Sequence, residues 1–132
     1  MKTVERNFFP KNERLYLQND IDMLFTKGRS FVCYPFRIVY LLITENDSTH
    51  SDIALLVSIP KKHIKLAVKR NRIKRFVRES FRLNKNTIIN HFKMIEKHLH
   101  IAFLYTTKEM KTYAEIEKTM QKALEMIRNQ LI

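Results

Sequence analysis

Eleven side chains between Lys61 and Lys85 are cationic, and one, Glu79, is acidic. The cations are Lys61, Lys62, Lys65, Lys69, Arg70, Arg72, Lys74, Arg75, Arg78, Arg82 and Lys85. They put +10 of the chain's formal +12 into 25 of its 132 residues, so the remainder is nearly balanced. Charge this local is not a general solubility device. It suits a polyanion docked on one element. Arginine supplies five of these positions and meets phosphate oxygens through a bidentate fork that lysine lacks. Cations that neutralise phosphates release counterions and give affinity without reading sequence. A DNA-reading helix would aim polar side chains at base edges, whereas this stretch is nearly all phosphate-seeking.

Other reactive types are sparse. His98 and His100 lie two apart on a predicted strand and would share a face, but no third metal ligand is evident, so satisfied or exposed histidines are expected. The short acidic pairs Asp20 with Asp22 and Glu45 with Asp47 are explained by helix capping and turn formation. Serines and histidines occur without an elbow motif to position them. No catalytic residue and no protein-bound metal are therefore expected. The single glycine, Gly28, excludes phosphate-cradling loops and the dinucleotide fingerprint, which need several. The single cysteine, Cys33, excludes an intramolecular disulfide and a cysteine-rich metal site.

The basic stretch must be carried on a helix. Ile73, Phe76, Val77 and Ser80 recur at i, i+3, i+4 and i+7, with Phe81 beside them, and this predicts one apolar face. At about 100° per residue, Arg70, Lys74, Arg78 and Lys85 fall in one arc flanked by Asn71, Arg75 and Arg82, roughly opposite the apolar face. Asn71 fits either a helix N-cap or a polar contact to the polyanion. Glu79 fits pairing with a neighbouring arginine at helical spacing better than catalysis.

Around this helix the pattern predicts an α+β chain. Residues 1–13 read as a flexible arm, within a mostly extended segment 1–18 that holds Pro10. Asn19 is placed to cap a short helix with Ile21, Leu24 and Phe25 on one face and Gly28 at its C′ position. Residues 30–43 read as strand interrupted by Pro35, 45–51 as a polar connection, and 52–59 as a further strand ended by Pro60. Residues 87–97 read as helical and 99–106 as a strand. Thr112-Tyr113-Ala114-Glu115 is a capping-box pattern, opening a terminal helix with the stripe Ile116, Met120, Leu124, Ile127 and Leu131. A hydrophobic fraction of 45% and the length suit one domain, 1–132, with a real core. No apolar run approaches the roughly 20 residues of a spanning helix, and the start lacks a signal peptide's apolar core. A cytoplasmic protein with no membrane partner is expected.

Lys69-Arg70-Asn71-Arg72-Ile73-Lys74-Arg75-Phe76-Val77-Arg78-Glu79-Ser80-Phe81-Arg82, preceded by Ala67-Val68, closely resembles the signature helix of the bacterial ribonuclease P protein subunit. The likeness extends over roughly residues 14–131. It takes in Arg14-Leu15, Phe25, Gly28, Ser30, Phe36, and Val57-Ser58 before a lysine pair. Two features depart from the family pattern. Ile21 stands where many members have an aromatic, and Lys65-Leu66 stands for Gly-Asn with Ile59-Pro60 inserted upstream.

The resemblance implies a two-layer α-β-β-β-α-β-α sandwich with a small central sheet and the basic helix in a crossover. That crossover would be left-handed, against the usual rule. It implies a subunit of an endoribonuclease that removes the 5′ leader from precursor tRNA. The RNA subunit would perform hydrolysis with magnesium, and the protein would bind no cofactor itself. Its RNA contacts would be Lys61, Lys62, Lys65, Lys69, Arg70, Asn71, Arg72, Lys74, Arg75, Arg78 and Arg82. The leader would lie in a cleft between the sheet and the first helix, lined by Ile21, Phe25, Phe36 and Tyr40, whose aromatics either stack on unpaired bases or belong to the core. The residues alone also allow a ribosomal or chaperone-like RNA-binding module with no role in cleavage.

Overall fold

A computed structural model describes residues 18–43, 53–86 and 98–131. The expected arm, the polar connection 45–51 and the helical reading of 87–97 lie outside the described residues. In chain order the elements are α1 (Gln18–Lys27), β1 (Arg29–Cys33), β2 (Phe36–Ile43), β3 (Ile53–Ser58), α2 (Ala67–Asn84), β4 (His98–Tyr105) and α3 (Tyr113–Leu131). The strands form one sheet in the order β1-β2-β4-β3. β2 pairs antiparallel with both β1 and β4, whereas β3 runs parallel to β4. The basic helix α2 therefore makes the crossover between two neighbouring parallel strands.

Strand alternation divides the sheet into two unlike faces. Phe36, Ile38 and Tyr40 of β2, Ile53 and Leu55 of β3, and Leu99, Ile101, Phe103 and Tyr105 of β4 share one face. They pack with Ile73, Val77 and Phe81 of α2 and with Ile116, Met120, Ala123, Leu124 and Ile127 of α3. The other face presents Val39, Ala54 and Ala102, and Leu24 of α1 closes a smaller cluster over them. Ile21, Leu41, Leu56 and Leu104 pack partly buried around that cluster.

The terminal helix begins as its sequence predicts. The Thr112 amide donates to Glu115 Oε1 at 2.9 Å, and the Glu115 amide donates to Thr112 Oγ1 at 3.2 Å. These two bonds satisfy reciprocal orphan donors, and the Thr112 amide, together with the Thr112 hydroxyl that donates to the same Oε1 at 3.1 Å, holds the Glu115 carboxyl below its ordinary range. The expected stripe is buried at Ile116, Met120, Leu124 and Ile127. Gly28 follows α1, and its amide donates to the Leu24 carbonyl at 2.8 Å. Its role is spatial, since no glycine has positive φ and a Cβ there would lie 2.3 Å from the Leu24 oxygen and 2.9 Å from the Tyr40 oxygen.

Three expectations are corrected. Asn19 lies inside α1, which already includes Gln18, so it is not the cap. Asn71 is an exposed residue within α2, not its N-cap; the helix starts four residues earlier, with Leu66 at the cap position and no side-chain capping bond. The segment 30–43 is two strands, because Tyr34-Pro35 forms a turn and the chain doubles back on itself.

Candidate nucleic-acid interface

α2 turns Ile73, Val77, Ser80 and Phe81 inward, and all four are buried. Its cations are not equivalent. Lys69, Arg72 and Arg75 are exposed along the helix with Asn71, and Lys61, Lys62 and Lys65 are exposed in the turn leading into it. Lys74 and Arg78 are half-buried, because each follows a core residue, Ile73 and Val77, by only about 100° of helix. Lys85 is buried, with 6% of its surface exposed, and caps the helix C-terminus through its amide. The arc Arg70–Lys74–Arg78–Lys85 thus borders the core instead of standing opposite it, and the free ridge is centred on Arg72 and Arg75.

Arg70 and Arg82 are both tied to groups within the protein. Arg70 donates through Nη1 to the Ile64 carbonyl at 2.9 Å and to the Lys65 carbonyl at 2.8 Å, which ties the incoming turn to the helix. Arg82 donates through Nε to Glu79 Oε1 at 3.1 Å and through Nη2 to Glu79 Oε2. The Arg82 hydrogen bonds, aided by its charge, hold the Glu79 carboxyl below the usual carboxylate range. Glu79 pairs along the helix as its spacing predicts.

The α1 side of the sheet differs from its expected makeup. Phe25 is 46% exposed, and Ile21 is half-buried against the small cluster under α1. Phe36 and Tyr40 do not face α1. They are 1% and 3% exposed in the main core; Phe36 packs edge-on against Phe103 and Tyr105, and the Tyr40 hydroxyl donates to Gln130. Neither can stack on a base without opening that core. Period-two alternation instead puts Arg37 on the α1 side, in a row with Val32, Leu104 and Ser58 across all four strands. Arg37 and Val32 are exposed, and Leu104 and Ser58 are half-buried. The signal for Arg37 was its place between two apolar neighbours on the core face.

Among the described residues no three His, Cys, Asp or Glu side chains come together to hold a metal ion. His98 and His100 do share a sheet face, the one under α1, with His100 buried. Likewise, no described helix is long and apolar enough to cross a membrane.

The family model for Ribonuclease P matches residues 9–128. The chain belongs to the ribonuclease P protein family. The ribonuclease P protein component of Porphyromonas gingivalis is 42% identical over 114 residues, spanning 86% of this chain and 82% of that protein. That of Pseudomonas aeruginosa is 39% identical over 80 residues, 61% of this chain and 56% of that protein. The fold is shared with the RNase P protein of Staphylococcus aureus, with a TM-score of 0.68 and 23% identity over 88% of this chain and 95% of that one. It is shared equally with the RNase P protein of Thermotoga maritima, with a TM-score of 0.67 and 24% identity over 86% and 96%. Membership makes the chain the protein component of the ribonucleoprotein endoribonuclease ribonuclease P, and sets aside a ribosomal or chaperone-like module. Glu79, the one acid among residues 61–85, is paired with Arg82 beside the exposed cations of α2.

Proposed function

We propose that this chain binds the RNA subunit of ribonuclease P through the exposed side of α2 and the Lys61–Lys65 turn, and grips the single-stranded 5′ leader of precursor tRNA between α1 and the sheet. It supports endonucleolytic removal of the leader and broadens the substrate range, in the cytoplasm. One observation carries the reading. Six exposed cations, Lys61, Lys62, Lys65, Lys69, Arg72 and Arg75, lie within 15 residues, on one helix and its lead-in turn. Hydrolysis belongs to the RNA with its magnesium ions, a reading supported by the lack, among the described residues, of any group of three His, Cys, Asp or Glu side chains placed to hold a metal ion. On the leader side, Phe25, Ile21 and the row containing Arg37 replace Phe36 and Tyr40 as the lining.

The test is affinity for the RNA subunit as a function of salt. Six phosphate contacts predict about a thousandfold weakening between 50 and 200 mM salt. Replacing Lys69, Arg72 and Arg75 together by Ala should weaken binding and flatten that slope in a folded protein. An unchanged slope would overturn the reading. The protein alone should not cleave precursor tRNA at any magnesium concentration, and RNA-free cleavage surviving nuclease-depletion controls would refute an RNA-borne active site.

A further inference from the structure

Arg72, Phe76, Glu79 and Leu83 recur at i, i+4, i+7 and i+11 and so form one stripe along α2, on the flank toward α3. Where this stripe meets Tyr113, the first residue of α3, the surface opens into a pocket of about 440 Å³ lined by Arg75, Phe76, Glu79, Leu83 and Tyr113. Its walls are largely apolar. The Phe76 and Tyr113 rings meet edge to face, with centroids 5.7 Å apart, and Leu83 is 43% exposed. Arg75 and Glu79 stand at its polar rim, and Glu79 is the one acid of the basic stretch.

That acid is informative. Paired with Arg82, the Glu79 carboxylate leaves this spot without the net positive charge of the neighbouring ridge, so a phosphate gains little here. A nucleobase is the right occupant, being neutral and flat. It stacks on aromatic walls, and its amino and imino edge donates to carboxylate oxygens. Arg82 uses only part of the acceptor capacity of Glu79, since two carboxylate oxygens offer about four lone-pair sites. The neighbouring cations Arg72 and Arg75 supply contacts for the phosphates on either side of an extruded nucleotide.

We infer that the pocket between α2 and the start of α3 receives one unstacked guanine of a bound RNA, its face against Tyr113, its rim against Phe76, whose ring lies at 76° to that of Tyr113, and its N1–H and N2–H edge toward Glu79. This rests on the proposal that α2 binds RNA, and adds a base-selective contact to an otherwise sequence-blind surface.

The probe is a short uridine oligomer carrying one central guanosine, adenosine or abasic site, with binding to the full chain followed by anisotropy at low salt. Guanosine should bind about fivefold or more tighter than the abasic oligomer, as expected for one stacked base, and also tighter than adenosine. Ultraviolet cross-linking should attach the guanosine to the peptide containing Tyr113. Tyr113→Leu, which keeps apolar packing, should abolish the guanosine advantage while leaving the salt slope unchanged. Glu79→Gln, at an exposed site, should erase the preference over adenosine, and it decides the matter if Tyr113→Leu fails to fold. Salt-dependent binding that ignores the central base, or an adduct at Phe25 instead of Tyr113, overturns the pocket and leaves the basic surface standing. Loss of salt-dependent binding to every oligomer and to the RNA subunit overturns the basic surface itself.

Discussion

The Arg70 guanidinium and the Ile64 carbonyl are joined at 2.9 Å, so the first arginine of the Arg-Asn-Arg run clasps the turn that feeds its own helix. Ile64 is buried in the main core, which gives the clasp a fixed anchor. Arg70→Ala should therefore lower stability, by about 1.5–3 kcal/mol for hydrogen bonds made by a charged group. Arg75→Ala, at an exposed position, should stay within about 0.5 kcal/mol of the parent. Urea unfolding of the two variants measures the contrast; equal stabilities would remove the clasp from the account.

Phe25 and Phe36 should separate cleanly in binding and stability. Phe36→Ala empties a core position and should cost about 3–5 kcal/mol. Phe25→Ala should leave the fold intact and weaken precursor tRNA binding to the reconstituted complex about fivefold or more, with mature tRNA unaffected. Equal losses for both tRNAs would move Phe25 out of the leader cleft.

Gly28→Ala should destabilise the protein by more than about 1 kcal/mol even though no left-handed backbone is involved. The added methyl meets two backbone oxygens, on Leu24 and Tyr40, which cannot swing aside as a flexible side chain would. A thermal shift of less than a degree or two would show that the junction of α1 and β1 yields easily.

Burial pushes the Cys33 thiol up, outweighing the nearby Lys122 charge that pulls it down, and its Sγ lies 3.9 Å from the Thr119 carbonyl as a weak donor. A raised pKa keeps the thiol protonated in the fold. Iodoacetamide should thus modify native protein more slowly than urea-unfolded protein near neutral pH, where the thiolate is the reacting form. The raised thiol pKa contributes stability that is complete below the unfolded thiol's pKa and is lost as pH rises through the raised folded value. Mass spectrometry over a time course reads the alkylation, and equal rates would contradict the burial of Cys33.

Much of the fold was legible. The capping box at Thr112–Glu115 relies on side chains three residues apart, so it needs no tertiary partner to announce it. The strands 53–58 and 98–105 were within a residue of their expected bounds, because Pro60 and the apolar runs mark them. The position of Asn71 misled, since α2 begins without a side-chain cap and its exposed first turn is tied instead by the Lys69 and Arg70 amides on the Leu66 carbonyl and by the Arg70 guanidinium; Leu66 and Ala67 carry no capping signal.

Sequence by itself determined the location of the charge, the amphipathic stripe of α2 and the family to which the chain belongs, since each is a matter of residue type and short-range spacing. Tertiary structure decided which side chains are available. Period-two alternation says that Phe36 and Tyr40 share a face and Arg37 takes the other, but both faces of β2 are apolar enough to be buried. Only the docking of α2 and α3 on one side and α1 on the other names the core face. The same docking sets how far the cations of α2 tilt toward the core. It leaves Arg72 and Arg75 in solvent and draws in Lys85, because the angle at which a helix lies on a sheet depends on side chains far away in the chain.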